Sequence, residues 1–259
     1  MKRLCLLVTV ALLTACSERQ EINPVVEVLN TMTPVKNQGD SQSCWIYAML
    51  AAIETEHISQ GDSVNLSAAW LESHLKEEQQ APKSGRGMGA TALALLQKYG
   101  LVGYDAMRKS DAPRPKVVYL FGAEYTPQEF ARSVCAPGEY VALTSNADSA
   151  YGREILIDEP DNWLHQRFLN VHIDTLLRRA ERAVKGGHGV CWESKGHAMA
   201  IVGLACDTTT QKRYFIMKNS WGEEHGDHGL DYLSYSYFRE HTLAVCMTRE
   251  AYEGVDDER

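Results

Sequence analysis

The sequence predicts an α+β fold of two lobes, a helical one followed by a β-rich one, and two features of its patterning carry that expectation. Three segments with apolar residues at helical spacing fill the stretch before Pro113 and Pro115. Beyond those prolines, which break regular structure, the pattern changes to short apolar runs. The 259 residues suffice for one domain with a substantial core, or for two lobes sharing a cleft. No internal repeat or low-complexity block interrupts them.

At the N-terminus, Met1-Lys2-Arg3 and the apolar run Leu4 to Leu13 have the charged start and short hydrophobic region of a secretory signal. The run is too short for a comfortable membrane span. Leu13-Thr14-Ala15-Cys16 resembles a bacterial lipobox, which implies cleavage before Cys16, lipid attachment at Cys16 and a membrane partner through that anchor, in the bacterial cell envelope. The competing interpretation is an ordinary signal peptide with an incidental cysteine. Residues 1–15 are then a lipoprotein signal peptide and residues 16–30 a polar tether with few signs of packed structure. With Lys2 and Arg3 removed, 24 basic side chains face 34 acidic ones, a net charge of −10 that argues against a nucleic-acid partner.

The folded domain is expected over residues 31–250, with the helical lobe over about 36–110 and the β-rich lobe over about 111–250. The first helix runs from Cys44 to Ile58, with Gly61 as a stop. Ser67 caps a second, Ala68 to Lys76, which carries Trp70, Leu71 and Leu75 on a buried stripe. A third covers Ala90 to Tyr99 and ends at Gly100. Between the second and third, Gly85-Arg86-Gly87-Met88-Gly89 is either a flexible connection or a cleft wall in which Gly87 and Gly89 hydrogen-bond substrate backbone. Strands are expected at 117–121, 140–144, 189–193, 198–206, 214–218 and 242–248. One helix interrupts them from Asp174, as cap, to Lys185, before Gly186-Gly187. Residues 251–259 read as an acidic, flexible tail.

The chemistry begins at Asn37-Gln38-Gly39-Asp40-Ser41-Gln42-Ser43-Cys44-Trp45, which places a thiol at a helix start. Unpaired N–H groups and the helix dipole there favour thiolate and make Cys44 a candidate nucleophile. A small buried hydrophobe is what a cysteine without context would be. Gln38 could offer its amide, beside the Cys44 backbone N–H, to the oxygen of an attacked carbonyl. Downstream, His197 in Gly196-His197-Ala198 and Asn219 in Lys218-Asn219-Ser220-Trp221 complete the set. His197 would shuttle the proton, Asn219 would orient the imidazole, and Trp221 would shield their hydrogen bond from water. Of the seven cysteines, Cys135, Cys191, Cys206 and Cys246 lie in apolar strand-like runs and are expected as buried free thiols, with a single bridge among them left open.

Pro34-Val35-Lys36-Asn37-Gln38-Gly39, Ser43-Cys44-Trp45, Gly196-His197-Ala198 and Lys218-Asn219-Ser220-Trp221-Gly222 resemble the site motifs of the papain-like cysteine peptidases. The resemblance implies a papain-like two-lobed fold, with Cys44 opening the long helix of the helical lobe and His197 and Asn219 on the β-rich lobe across a cleft. It makes Cys44, His197, Asn219 and Gln38 the catalytic set, with Gln38 in the oxyanion hole. The finer likeness is to the bleomycin hydrolase and aminopeptidase C branch. It rests on Asn219 to Gly229, Tyr140 to Thr144, Asp161-Asn162-Trp163 and Leu169-Asn170-Val171, and on Ser41 standing where papain has a disulfide-forming cysteine. Against that branch, Val190 to Lys195 reaches His197 almost directly, which reshapes the cleft and argues against ring-shaped hexamers; the oligomeric state stays open. The C-terminal segment also differs from the cleft-filling arm of that branch, so aminopeptidase action is a family-level expectation only.

The overall expectation is a cysteine-type peptidase acting on peptide or protein substrates through an acyl-enzyme, without cofactor or metal. His225-x-x-His228, beside Glu223, Glu224 and Asp227, sits among glycines in loop geometry and lacks the helical or cysteine pairing of zinc sites. The alternatives are a catalytically inactive papain-like binding protein, and an acyltransferase using the same thiol chemistry.

Overall fold

The computed structural model describes residues 24–120 and 122–254. Helix α1 (Cys44–Ser59) forms where the sequence is apolar around nearly its whole circumference, and from Trp45 to Glu56 only Tyr47 escapes full burial. A helix apolar on all sides belongs inside a core. It lies between α2 (Ala68–Leu75) with α3 (Gly89–Tyr99) on one side and the main sheet on the other. Ser67 caps α2 by accepting from the Trp70 N–H at 3.1 Å. Gly100 ends α3 at φ +77°, where a Cβ would stand 2.4 Å from the Pro127 carbonyl carbon.

The helical side continues beyond residue 110, which corrects the expected lobe boundary. After a small hairpin of β2 (Val118–Leu120) and β3 (Ala123–Tyr125), helix α4 (Pro127–Val134) starts at a capping box between Thr126 and Glu129, with Pro127 in the first turn. Phe130, Ala131 and Val134 of α4 enter the same core as α1, α2 and α3. Phe121, the end of the strand expected at 117–121, lies outside the described residues.

The β side holds β4 (Tyr140–Thr144), β5 (Arg153–Leu156), β6 (Arg167–Asn170), helix α5 (Ile173–Lys185), β7 (Val190–Ser194), β8 (His197–Asp207), β9 (Lys212–Lys218), β10 (Leu230–Ser234), helix α6 (Tyr235–His241), β11 (Ala244–Thr248) and helix α7 (Arg249–Glu253). The sheet order is β10-β9-β8-β7-β11-β4-β6-β5, antiparallel except for the β4–β6 pair. Alternate residues serve its two faces: Cys191 and Cys246 meet the α1–α4 core, while Val190, Trp192, Val245 and Met247 meet the core under α5, α6 and α7. The α5 cap is His172, whose Nδ1 accepts from the Asp174 N–H at 3.3 Å, so the helix starts before the expected cap Asp174.

Two terminal expectations need correction. Residues 24–29 form strand β1, antiparallel to the second half of β8, and Asn30 N–H continues the pairing to Val202 O at 2.8 Å, so these residues are no tether. Val25, Val26 and Val28 supply the β-branched pattern, and Gly203 lets the strand in, since a Cβ there would sit 2.5 Å from Val28 O. At the other end, residues 249–253 are helix α7 rather than tail, capped by Thr248 and held to α5 by Arg182, whose Nη2 donates to Tyr252 O at 2.7 Å. The lipobox with Cys16, and residues 255–259, lie outside the described residues. No helix among the described residues is long and apolar enough to cross a membrane.

Candidate active site

Cys44 is the first residue of α1, and no side chain caps that helix. The Ser43 hydroxyl goes instead to Glu72 on α2, as does Ser41 at 3.2 Å, which clamps the loop before the thiol. Gly39, at φ +61°, turns that loop, with its N–H on Asn37 Oδ1 at 2.8 Å. Gln38 is held at both ends: Oε1 accepts from Ser220 Oγ and Nε2 donates to Ser41 O, each at 2.5 Å. An amide nitrogen carries two hydrogens, so this arrangement uses one of them.

His197 follows a two-residue hairpin, Lys195-Gly196, that joins β7 to β8 with Ser194 opposite His197 and Gly196 at φ +97°. Asn219 lies just beyond β9, and its Oδ1 is 3.0 Å from His197 Nε2. Its Nδ2 donates to Asp231 Oδ2 at 2.7 Å. A carboxylate only accepts, so Asp231 fixes which way the Asn219 amide points. His197 Nε2 must then carry the proton, and Nδ1 is left as the base. Trp221 stacks on the imidazole with centroids 4.6 Å apart and 23° between planes. His225 packs edge-on to Trp221 and lies 3.3 Å from Asp231 Oδ2.

Asp231 is the functional residue that sequence reasoning missed. It sits in Leu230-Asp231-Tyr232 with no motif around it, and only the β9–β10 register brings it behind Asn219. Asp231→Asn is expected to cost a substantial part of the ~10²–10⁴-fold that a positioned acid–base contributes, in kcat rather than KM. The Asp231 charge favours the imidazolium, so the variant's acid limb in a kcat–pH profile should move to lower pH. An unmoved limb and unchanged kcat would show that Asp231 does not hold the Asn219 orientation.

Burial pushes the Cys44 thiol above the ordinary cysteine value, opposed by the backbone N–H groups of Ala198 and Trp45. Burial likewise pushes His197 below the ordinary histidine value, opposed by Asn219 and Asp231. The helix start does not outweigh burial at this thiol, against the expectation of one lowered by the helix start with a histidine's help. Both shifts favour the neutral form of the group concerned.

Cys44 and His197 line one pocket with Gly87, Arg86, Asp161 and Glu193, among others. The Gly85–Gly89 segment is pinned rather than a flexible connection. Trp45 Nε1 donates to Gly85 O at 3.1 Å, Trp163 Nε1 to Arg86 O at 3.0 Å, and Arg86 Nε to Asp161 Oδ2 at 3.1 Å. Gly87 lines the pocket, and a Cβ there would stand 2.8 Å from the Trp45 ring. Gly89, expected to hydrogen-bond substrate, is instead buried at the start of α3 and gives its N–H to the Glu193 carboxylate, so it has none left for substrate.

Burial, with Asp161 nearby, pushes Glu193 up to about 7, against the Gly89 hydrogen bond. A carboxyl raised in the folded state adds stability below its unfolded value and loses it as pH rises through the folded one. Unfolding free energy is therefore expected to fall by on the order of 3 kcal/mol between pH 4.5 and about 7 from this group, a slope absent in Glu193→Gln. Denaturant titrations across that range would expose a missing slope.

The five described cysteines, Cys44, Cys135, Cys191, Cys206 and Cys246, are all free thiols; Cys206 is half-buried rather than buried. Among the described residues no group of three or more His, Cys, Asp or Glu side chains is arranged to hold a metal ion.

The family model described as papain family cysteine protease matches residues 25–250, and the chain belongs to that family. A probable cysteine protease, RD19C, of Arabidopsis thaliana is 27% identical over 206 residues, 76% of this chain and 52% of the relative. Cathepsin S of Rattus norvegicus is 27% identical over 202 residues, 76% and 56%. The chain thus spans about half the length of these curated relatives. Among solved structures, PepW of Lactobacillus rhamnosis superposes with a TM-score of 0.69 at 17% identity, over 89% of this chain and 83% of that one. Bromelain of Ananas comosus in complex with the E64 inhibitor does so at 0.51 and 14%, over 84% and 94%. The fold is papain-like: α+β, with two lobes and the pocket of Cys44 and His197 between them.

Proposed function

We propose that this chain is a cysteine peptidase in which Cys44 attacks a peptide carbonyl. The proton of Cys44 Sγ passes to His197 Nδ1 as the C–S bond forms. The carbonyl oxygen becomes an oxyanion between the Cys44 N–H and the second N–H of Gln38 Nε2. Collapse breaks the C–N bond, and the imidazolium returns its proton to the leaving amine. Water then gives a proton to His197 and its oxygen to the thioester carbon, which releases the acid and restores the thiol. The observation that carries this reading is the Asp231–Asn219–His197 chain, which leaves Nδ1 unprotonated beside the pocket that Cys44 lines. A catalytically inactive binding protein would need no such tautomer. Transfer of the acyl group to an amine instead of water uses the same groups, and the short β7–β8 hairpin, which leaves the thioester open to water, favours hydrolysis.

Aminopeptidase action belongs to the reading through the bleomycin hydrolase-like segments of the sequence, and tethering by lipid on Cys16 through its lipobox. Labelling by an epoxide or vinyl-sulfone thiol reagent tests the nucleophile: it should mark wild-type protein and not Cys44→Ala, and labelling that persists in the variant would defeat the assignment. Equal turnover of amino-blocked and free-amino fluorogenic peptides would reject the aminopeptidase part.

A further inference from the structure

Glu193 carries chemistry that the catalytic set does not use. Its residue is 3% exposed on β7, on the sheet face that also carries Cys191. One carboxylate oxygen, Oε1, accepts the Gly89 N–H; the other, Oε2, is buried with no hydrogen-bond partner. A carboxylate oxygen taken from water and left unpaired is costly, and such a group persists where a ligand completes it. Glu193 lines the pocket shared by Cys44 and His197, directly opposite Ala198 in the β7–β8 register and so one position from His197.

The surroundings define what would complete it. Asp161 lines the same pocket and adds a second negative charge, while Arg86, the one positive side chain there among the described residues, is paired with Asp161. With His197 neutral and Glu193 ionised, as a cation beside it would favour, the wall carries a net charge of −1. The cavity measures about 20 Å³ at the scale of a water molecule, which is room for roughly one such group. An ammonium, a compact charge with three donors, can complete a single free carboxylate oxygen.

We infer that Glu193 is a specificity-determining residue of this site, and that its free oxygen receives a substrate ammonium group beside the reacting carbonyl. The inference rests on the peptidase reading and supplies what that reading lacks, a fixed anion on the rigid sheet to select a charged substrate. The ammonium is either the free amino terminus of the peptide or a lysine side chain, and the two are separable.

Two matched substrate pairs test it on the full chain: leucyl-coumarin amide against its N-acetyl form, and acetyl-Lys-Leu against acetyl-norleucyl-Leu coumarin amide. A charge-assisted hydrogen bond in a buried pocket should give the ammonium-bearing member of one pair a kcat/KM advantage of about tenfold or more. Preference in the first pair assigns the amino terminus, and preference in the second the side chain. In Glu193→Gln, which keeps the shape and the Gly89 acceptor, that ratio should collapse toward one. A wild-type ratio below about ten in both pairs overturns the subsite without need of the variant, as does a ratio that Glu193→Gln leaves intact. If no peptide is turned over in a Cys44-dependent way, the peptidase reading fails and the subsite with it; turnover without charge preference fails the subsite alone.

Discussion

His197→Ala is expected to lower kcat on an amide substrate by about 10⁴–10⁶-fold while leaving KM within a few-fold, because it removes a group that acts only along the reaction path. Without the imidazole, burial holds Cys44 protonated, and the leaving amine has no proton donor. Cys44→Ala should cost about as much, and the double variant no more than either single one, since the two groups act as one device. The check is kcat and KM for all three variants at matched concentrations of folded protein. Losses that multiply in the double variant would mean that sulfur and ring work independently, contrary to the shared proton transfer described above.

The second large effect falls on stability, at Glu54 in the middle of α1. Its carboxylate is fully buried and accepts from Lys36 Nζ, from Thr33 Oγ1 at 2.5 Å and from the Leu66 N–H at 2.6 Å. Lys218 Nζ stands 4.0 Å from it and donates to Thr33 O and Oγ1 at 2.7 Å each. The cluster joins the helix bearing the thiol to strand β9, which ends at Lys218 just before Asn219. Glu54→Ala strands Lys218, which is 4% exposed, as a buried charge. The expected cost is about 3–5 kcal/mol, which for a chain of this size lowers Tm by about 10 °C. Burial already pushes Lys218 down to about 8, with Glu54 opposing and Lys36 adding to the fall. Because the folded value lies below the unfolded one, the unfolded chain holds the extra proton between about pH 8 and 10.5, and stability from this group rises with pH across that window. Loss of Glu54 should deepen that dependence. Thermal melts at pH 7 and pH 9 measure both effects, and a Tm drop of under 3 °C at pH 7 would show that the cluster does not couple the lobes.

What could be read before folding was whatever depends on neighbours in sequence. The helix start at Cys44, the cap at Ser67 and the stop at Gly100 are local, and the motifs around Gln38, His197 and Asn219 name their own chemistry. Strand β1 escaped because its pairing partner is about 180 residues away, and Val25, Val26 and Leu29 remain half exposed on the edge. Helix α4 escaped because Pro127 reads as a breaker unless Thr126 and Glu129 are seen as a capping box. Asp231 and Glu193 are single carboxylates in strand patterns, and only long-range folding gives them partners: Asn219 through strand register for the first, Gly89 through the packing of α3 on the sheet for the second. That same long-range contact removed Gly89 from the cleft. A glycine-rich stretch does not disclose which of its N–H groups the core will claim.

Trapping of the acyl-enzyme bears on the central claim most directly. Wild-type protein mixed with an activated ester of an N-terminal amino acid and quenched in acid within milliseconds should carry the acyl mass on the peptide containing Cys44, with the adduct decaying as free acid appears. Release of acid at the same rate by Cys44→Ala, with no adduct at that cysteine in wild type, would contradict the assignment of Cys44 as the nucleophile.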